Sequence, residues 1–389
     1  MSSEAPGRIA SLDAFRGFAI ASMVLVNNPG DWGHLYAPLE HAKWDGWTFT
    51  DLVFPFFLFA AGVSMAVSLD RRRRVVTPGT DPLVTSGGGP FVTSGSVPGV
   101  TTLSHVAKRA AVILVVGLLL NLFPSFSFET VRFPGVLQRI ALCILIAAPL
   151  AIWLRFATIA IWIFLIALAY TFVMLVVPVP DPHGVIAAGV LLPGRDYGAW
   201  LDRHLFGVHL WSQSKTWDPE GLVSTLPAVC SLLFGVLAGR WLMRAPATLT
   251  TSGRLLVAGL VALLAGLVLD RFLMPINKNL WTPSYAVFMT GWSLVVFAGF
   301  HAAMDARTFG RRPLLPLTIY GMNALFVFAF SGFVARLLIM GDTKRVIYAP
   351  IRALPISPES ASLLFAIGFN MAMFAVAWFM WKKKWFIRA

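Results

Sequence analysis

Long apolar runs separated by short polar breaks fill almost the whole chain. A hydrocarbon core of ~30 Å takes about 20 apolar residues per helix. About ten runs reach that length, near 10–29, 51–69, 105–123, 134–154, 156–177, 222–242, 254–273, 284–304, 313–339 and 359–381. The expected fold is therefore all-α: a polytopic membrane helix bundle of about ten transmembrane helices, eleven being the other count, with no separate soluble domain. Residues 1–389 read as one transmembrane domain. Within it, 75–104 is rich in Gly, Ser, Thr and Pro and reads as a disordered cytoplasmic linker, and 178–221 reads as an extracytoplasmic loop. No repeat of fixed period is found.

Composition narrows the class. Hydrophobic residues make up 57% and charged residues 13%, against the ~45–50% and ~25% of soluble chains. The net charge of +13 would suggest nucleic acid in a water-soluble protein, but here the basic residues gather where helices leave a bilayer, which excludes that partner. Arg8, Arg71 to Arg74, Lys108, Arg109, Arg155, Arg240, Arg244, Arg254, Arg307, Arg311, Arg312 and Lys382 to Lys384 share one set of connections. Those connections are expected to be cytoplasmic, with both termini. The short N-terminal stretch, the lack of a targeting segment and this bias suit a bacterial inner membrane. The first run is interrupted by Asn27, Asn28 and Pro29 and has no small-residue cleavage pattern, so it reads as retained. Cys143 and Cys230 both lie inside apolar runs, which leaves no disulfide framework and no cysteine metal site.

Polar side chains inside spans are costly, and each raises the question of function. Arg16, Ile20, Met23 and Asn27 form one stripe along the first span, about 16 Å long at 1.5 Å per residue, with Asp13 three residues from Arg16. Interface anchoring by Asp13 and Arg16, and a helix cap at Asn27, are the plainer accounts. The stretch DWGHLYAPLEHAKWDGWTFTD, residues 31–51, places Trp32, Trp44 and Trp47 with His34 and His41. Tryptophan suits a membrane interface, whereas a neutral imidazole serves as a general base near pH 7. Glu40, Asp45 or Asp51 would orient such a base, and Asp51 is equally suited to cap the second helix. A zinc site on the two histidines fails for want of a third ligand. Gln138 and Arg139 start the fourth span, Asp218 and Glu220 precede the sixth, where acids favour the helix dipole, and Asn277, Lys278 and Asn279 sit between the seventh and eighth. Asn323 lies inside the ninth. All are expected at one depth near the outer leaflet, around a single site between helices.

The blocks SLDAFRG, VNNPG, HAKWDGWTFTDLVFPFFLFAAGVSM, PGVLQR, DPEGLVSTLPA, PINKNLWTPSY and GMNAL, in order from residue 8 to about 325, resemble the membrane-bound acetyltransferases typified by heparan-alpha-glucosaminide N-acetyltransferase. Members of that family use cytosolic acetyl-CoA to acetylate the amino group of a terminal glucosamine across the membrane. The resemblance implies that His41 is the active-site histidine and Asn27 the functional asparagine, with no counterpart for His34. Two departures stand out: the large N-terminal lumenal region of the lysosomal enzyme is not found, and Asp45 replaces an Asn. The acceptor is therefore less specified than the donor.

Acetyl transfer needs a base for the acceptor proton and donors for the developing oxyanion. The expected mechanism has His41 as base, or as first acceptor of the acetyl group, and Asn27 as amide donor. Arg16 is expected to meet the cofactor, whose path Gln138, Arg139 and Lys278 line. Trp44, Asp45, Asp218, Glu220, Asn277 and Asn279 are expected around an extracytoplasmic sugar or amine. No metal is expected; membrane lipid is, and dimerisation stays open. The alternative from another class is a transporter or flippase, whose mid-membrane polar groups line a path.

Overall fold

A computed structural model describes residues 9–76 and 98–387, with the side chains of 71–76 and 98–100 outside the description. Most of the expected linker, 77–97, lies outside the described residues; its last part, 98–104, forms the first turns of a helix. Thirteen α-helices appear among the described residues. They are α1 Ala10–Val26, α2 Phe49–Val76, α3 Pro98–Leu122, α4 Val136–Trp153, α5 Phe156–Val176, α6 Tyr197–Phe206 and α7 Leu222–Leu242. Then follow α8 Leu249–Phe272, α9 Pro283–His301, α10 Leu315–Met322, α11 Ala324–Met340, α12 Thr343–Arg352 and α13 Pro358–Lys382. The only strands among the described residues are a two-residue antiparallel pair, Val179–Pro180 with Ile186–Ala187.

The protein is an all-α polytopic helix bundle. Eight helices are long and apolar enough to cross a membrane, or nine if the bent pair α10–α11 is one span. Each expected run carries a helix, but two depart from the expected count of ten. α1 stops at 17 residues because Asn27, Asn28 and Pro29 end it. The 313–339 run is broken at Asn323, where α10 and α11 meet at 80°. The break also corrects the expected depth of Asn323: its amide donates to Trp385 O at 3.0 Å and its oxygen accepts from Ile387 N at 2.9 Å. Those residues follow α13, so Asn323 lies at the far end of the bundle from residues 31–51.

α2 is the central helix, with 83% of its apolar window buried, whereas α3 and α8 have 17% each and keep broad apolar faces for lipid. Phe15, Phe56, Phe59 and Phe297 meet in the core between α1, α2 and α9. Helices in a bilayer gain little from the hydrophobic effect against one another and depend on close approach. Gly17 and Gly321 provide it between α1 and α10: a Cβ on Gly17 would stand 1.7 Å from Leu317 O, and one on Gly321 1.8 Å from Asp13 O. This crossing fixes the end of the bundle opposite the candidate site.

Candidate active site

The site forms where the α1–α2 connection folds over the α8–α9 connection. Thr48 and Asp51 stand three apart at the head of α2. The Asp51 carboxylate reaches back to accept the Thr48 backbone N–H at 3.1 Å, a capping-box arrangement with Asp as the acid. The same oxygen, Oδ2, accepts the Ala42 amide at 3.0 Å, so the turn before the helix winds around Asp51. Oδ1 lies 2.7 Å from His41 Nδ1 and 3.3 Å from Lys278 Nζ. The Asp51 side chain is 1% exposed and that of His41 45%.

An ionised carboxylate only accepts hydrogen bonds, which assigns the imidazole proton to Nδ1 and leaves Nε2 as an acceptor. Lys278 Nζ stands 2.9 Å from Nδ1 and 3.4 Å from Nε2; with Nδ1 donating to Asp51, the ammonium's acceptor there is Asp51 Oδ1 at 3.3 Å. Burial holds the Lys278 ammonium below the usual lysine range, against the opposing pull of Asp51 and Glu220. The Tyr285 hydroxyl donates to Asp51 O at 2.7 Å and ties the head of α2 to α9. Acid, imidazole and amine are thereby held on three separately anchored pieces of chain.

Contacts to neighbouring connections steady the loop that carries His41. Gly46 N donates to Ile276 O at 2.7 Å, and Asn277 Nδ2 donates to Asp45 Oδ1 at 3.1 Å. Trp44 donates its indole N–H to Leu191 O at 2.7 Å and meets the Trp217 ring edge-on. Asn279 lines a small cleft with Asp196, Asp202, Trp217, Asp218 and Ser224. Beneath it, Arg139 is 1% exposed, lies 5.1 Å from the Trp281 ring centre, and donates to Gly221 O at 3.2 Å and to the Ser224 hydroxyl. Gln138 is 6% exposed, and its side-chain nitrogen has no partner among the described residues.

His41, Lys278, Asp45 and Asn277 are thus brought together, with Trp44, Asn279 and Asp218 around them. Among the described residues, no hydrogen bond joins the Asn27 side chain to them. Asn27 is the exposed C-cap of α1, bonded through its backbone N–H, while Asn28 is buried and donates to Val24 O at 2.7 Å. Arg16 sits at the opposite end, 3.1 Å from Asp13, donating to Gly321 O at 2.5 Å and to Ser64 at 3.4 Å. Between them, Ile20 and Met23 of the expected stripe are core residues, 0% and 3% exposed.

Asp218 and Glu220 lie just before the α7 N-terminus, and their side chains are held by Arg132. Its Nε donates to Asp218 Oδ2 at 2.8 Å and its terminal nitrogen to Oδ1 at 2.5 Å and to Glu220. Burial works against the Arg132 charge, but Glu220 and Asp218 outweigh it and hold it above the usual arginine range. Gly221 is the N-cap of α7, and the Leu222 amide is capped from α6 by Asp202 at 3.0 Å. Burial pushes the Asp202 carboxyl up to about 7 and that of Asp196 up to about 6. Sequence reasoning missed Arg132 and Asp202, whose partners lie far along the chain. The Thr48-x-x-Asp51 spacing was the available signal for the double role of Asp51.

The fold is thus a polytopic membrane helix bundle that holds a half-exposed imidazole against a buried carboxylate. A family model described as heparan-alpha-glucosaminide N-acetyltransferase, catalytic, matches residues 8–263; the chain belongs to this family. Among similar proteins, human heparan-alpha-glucosaminide N-acetyltransferase is 26% identical over 83% of this chain and 52% of its own length. The mouse protein of the same name is 26% identical over 82% of this chain and 53% of its own. The chain therefore spans about half the length of the curated relatives it matches. His41, Asp51 and Asp218 lie within the family match, and Lys278 beyond it.

Proposed function

We propose that this chain is a transmembrane acetyltransferase that moves an acetyl group from acetyl-CoA to an amine or hydroxyl of a sugar such as a terminal glucosamine on the other side of the membrane. The observation that carries the reading is the His41–Asp51 pair, 2.7 Å between Nδ1 and Oδ1, in a chain that belongs to this family. Asp51 holds the imidazole in the tautomer that keeps a lone pair on Nε2, which is the orienting role an acid takes beside a base. Nε2 then either takes the acceptor's proton as the acceptor attacks the thioester carbonyl, or itself attacks that carbonyl to form an acetyl-imidazole; in either case the C–S bond breaks and CoA leaves as its thiolate, which takes up a proton. Lys278 supplies a positive charge beside the reacting atoms, suited to a developing oxyanion. Asn27, exposed at the end of α1, is the proposed second donor.

Acetyl-CoA carries an anionic head that stays with water, and Arg16 at the opposite end of α1 is the residue proposed to meet it. Gln138 and Arg139 line the proposed path. Trp44, Asp45, Asn277, Asn279, Asp218 and Glu220 frame the proposed acceptor side. The arginine and lysine distribution supports placing the Arg16 end and both termini in the cytoplasm of a bacterial cell, with residues 1–389 acting as one domain. One observation favours a transport reading: the broken pair α10–α11, since discontinuous helices line transporter sites. Its polar groups at Asn323 are, however, occupied by the chain after α13.

Acetyl transfer to glucosamine by the purified protein in proteoliposomes, with acetyl-CoA on the Arg16 side, tests the proposal. The wild type is expected to turn over, and His41→Ala to lose about 10²–10⁴-fold with the fold retained, since Asp51 keeps Lys278 and the Thr48 and Ala42 amides. Turnover by His41→Ala at the wild-type rate, or acceptor flux without acetylation, would overturn it.

A further inference from the structure

α12, Thr343–Arg352, presents three different faces. At 100° per residue, Lys344, Tyr348 and Ile351 share the one that packs on the protein. Tyr348 is 8% exposed and its ring lies against Gly30 and Phe365, while the Lys344 ammonium sits 5.7 Å from the Phe365 ring centre. Val346, Ile347 and Pro350 make a second face turned away from the bundle, with Val346 69% and Ile347 44% exposed. Arg345 and Arg352 make the third, with side chains 82% and 54% exposed. Ile339 and Met340 at the end of α11, and Leu354 and Ile356 after α12, are exposed apolar residues on the chain flanking this helix.

An apolar face of this kind turned to water would be an association patch. A basic face roughly opposite it and a third face anchored on the bundle give the geometry of a helix lying in the plane of a bilayer interface. The charge selects the partner, because basic residues at a membrane surface attract anionic headgroups. We propose that α12 is an interfacial helix at the His41 end, with its apolar face in the acyl boundary and Arg345 and Arg352 on the headgroups of anionic phospholipids.

The same helix holds the strap that leads to His41. Arg352 donates to Asp31 Oδ2 at 3.0 Å, the oxygen that also faces His34 Nδ1 at 2.9 Å. Gly30 N and Asp31 N are both held by Ser362 of α13. Lipid on Arg352 therefore acts on residues that precede His41 in the same connection.

Two measurements on the full chain in nanodiscs test this. A nitroxide on Val346→Cys, read against one on His183→Cys in an exposed loop, reports depth; Cys143 and Cys230 are both buried and leave the label to the new site. The Val346 label is expected to collide more with oxygen than with a water-soluble nickel chelate, and the His183 label the reverse. Chelate access at Val346 equal to that at His183 would overturn the interfacial placement. Spin-labelled phosphatidylglycerol is expected to associate more strongly than phosphatidylcholine, the preference falling about fivefold for each arginine neutralised in Arg345→Gln and Arg352→Gln. A preference unchanged in the double variant would remove the headgroup assignment.

Discussion

The two ends of α1 solve the problem of buried polar groups differently. At the Arg16 end, basic side chains turn largely to backbone carbonyls, Arg16 to Gly321 O, Arg240 to Leu154 O and Arg311 to Met304 O, and helices touch through Gly17 and Gly321. At the His41 end, side chains satisfy one another across distant connections, Asp51 with His41 and Lys278, Arg132 with Asp218 and Glu220, Asn277 with Asp45. The first arrangement is a packing device that tolerates no added volume. The second is an electrostatic device that tolerates no lost charge, because removing one member strands another in a poorly solvated place. The contrast teaches where chemistry is affordable in this bundle: at the end where loops, not helix surfaces, supply the partners.

Removing a partner at the charged end should have the largest effect. Asp51→Ala leaves the Lys278 ammonium and the Thr48 and Ala42 amides without their acceptor, and is expected to cost about 3–5 kcal/mol together with acetyl transfer. Asp13→Ala removes a carboxylate 16% exposed but leaves Arg16 bonded to Gly321 O and Ser64, and should cost less, about 1.5 kcal/mol. Equal shifts in detergent melting temperature for the two variants would erase the contrast. Next in size, Gly17→Val drives a side chain into the α10 backbone and is expected to cost about 1–3 kcal/mol, whereas adding a Cβ at Gly46, with open space around it but a positive φ, should cost less. A melting curve for Gly17→Val that overlays wild type would show that the helices part easily.

Smaller still, Arg16→Gln should weaken acetyl-CoA stabilisation of the protein about tenfold in apparent affinity, the size expected for one charged hydrogen bond, and leave the ligand-free melting temperature nearly unchanged. Undiminished ligand response would move the donor head elsewhere. The most graded effect is on pH. The Asp202 carboxyl titrates in the fold at about 7 against an ordinary 3.8, so the folded state binds more protons than the unfolded one across that window. Its contribution is fully present below about pH 4 and is lost as pH rises through 7, by up to about 1.4 kcal/mol per unit. Asp202→Asn keeps an oxygen for the Leu222 amide and should flatten that slope in melting temperatures taken from pH 4 to 8; an unchanged slope would assign it to another group.

The helices were legible because each apolar run is long and bounded by charge, and His41 and Lys278 were legible as chemistry out of place in a membrane. What escaped the sequence depends on partners that no local pattern reveals. Arg132 meets Asp218 across 86 positions, and Asp202 reaches Leu222 from another helix. Asn323 reads as one more polar residue in a span, yet the chain 62 positions later binds it and puts it at the opposite end. The shortened α1 was, by contrast, written in Asn27, Asn28 and Pro29, and only its exposed cap needed coordinates.

Asp51 has two duties, starting α2 and aiming His41, and they share one carboxylate. During synthesis the imidazole therefore has no defined bearing until the first turn of α2 is wound, and Lys278 arrives more than two hundred residues later. The proposed site is completed only when the α8–α9 connection comes to rest on the loop, so a nascent or misinserted chain carries no assembled His41–Asp51–Lys278 group. If His41 is the base proposed, folding of this connection and readiness for chemistry are the same event.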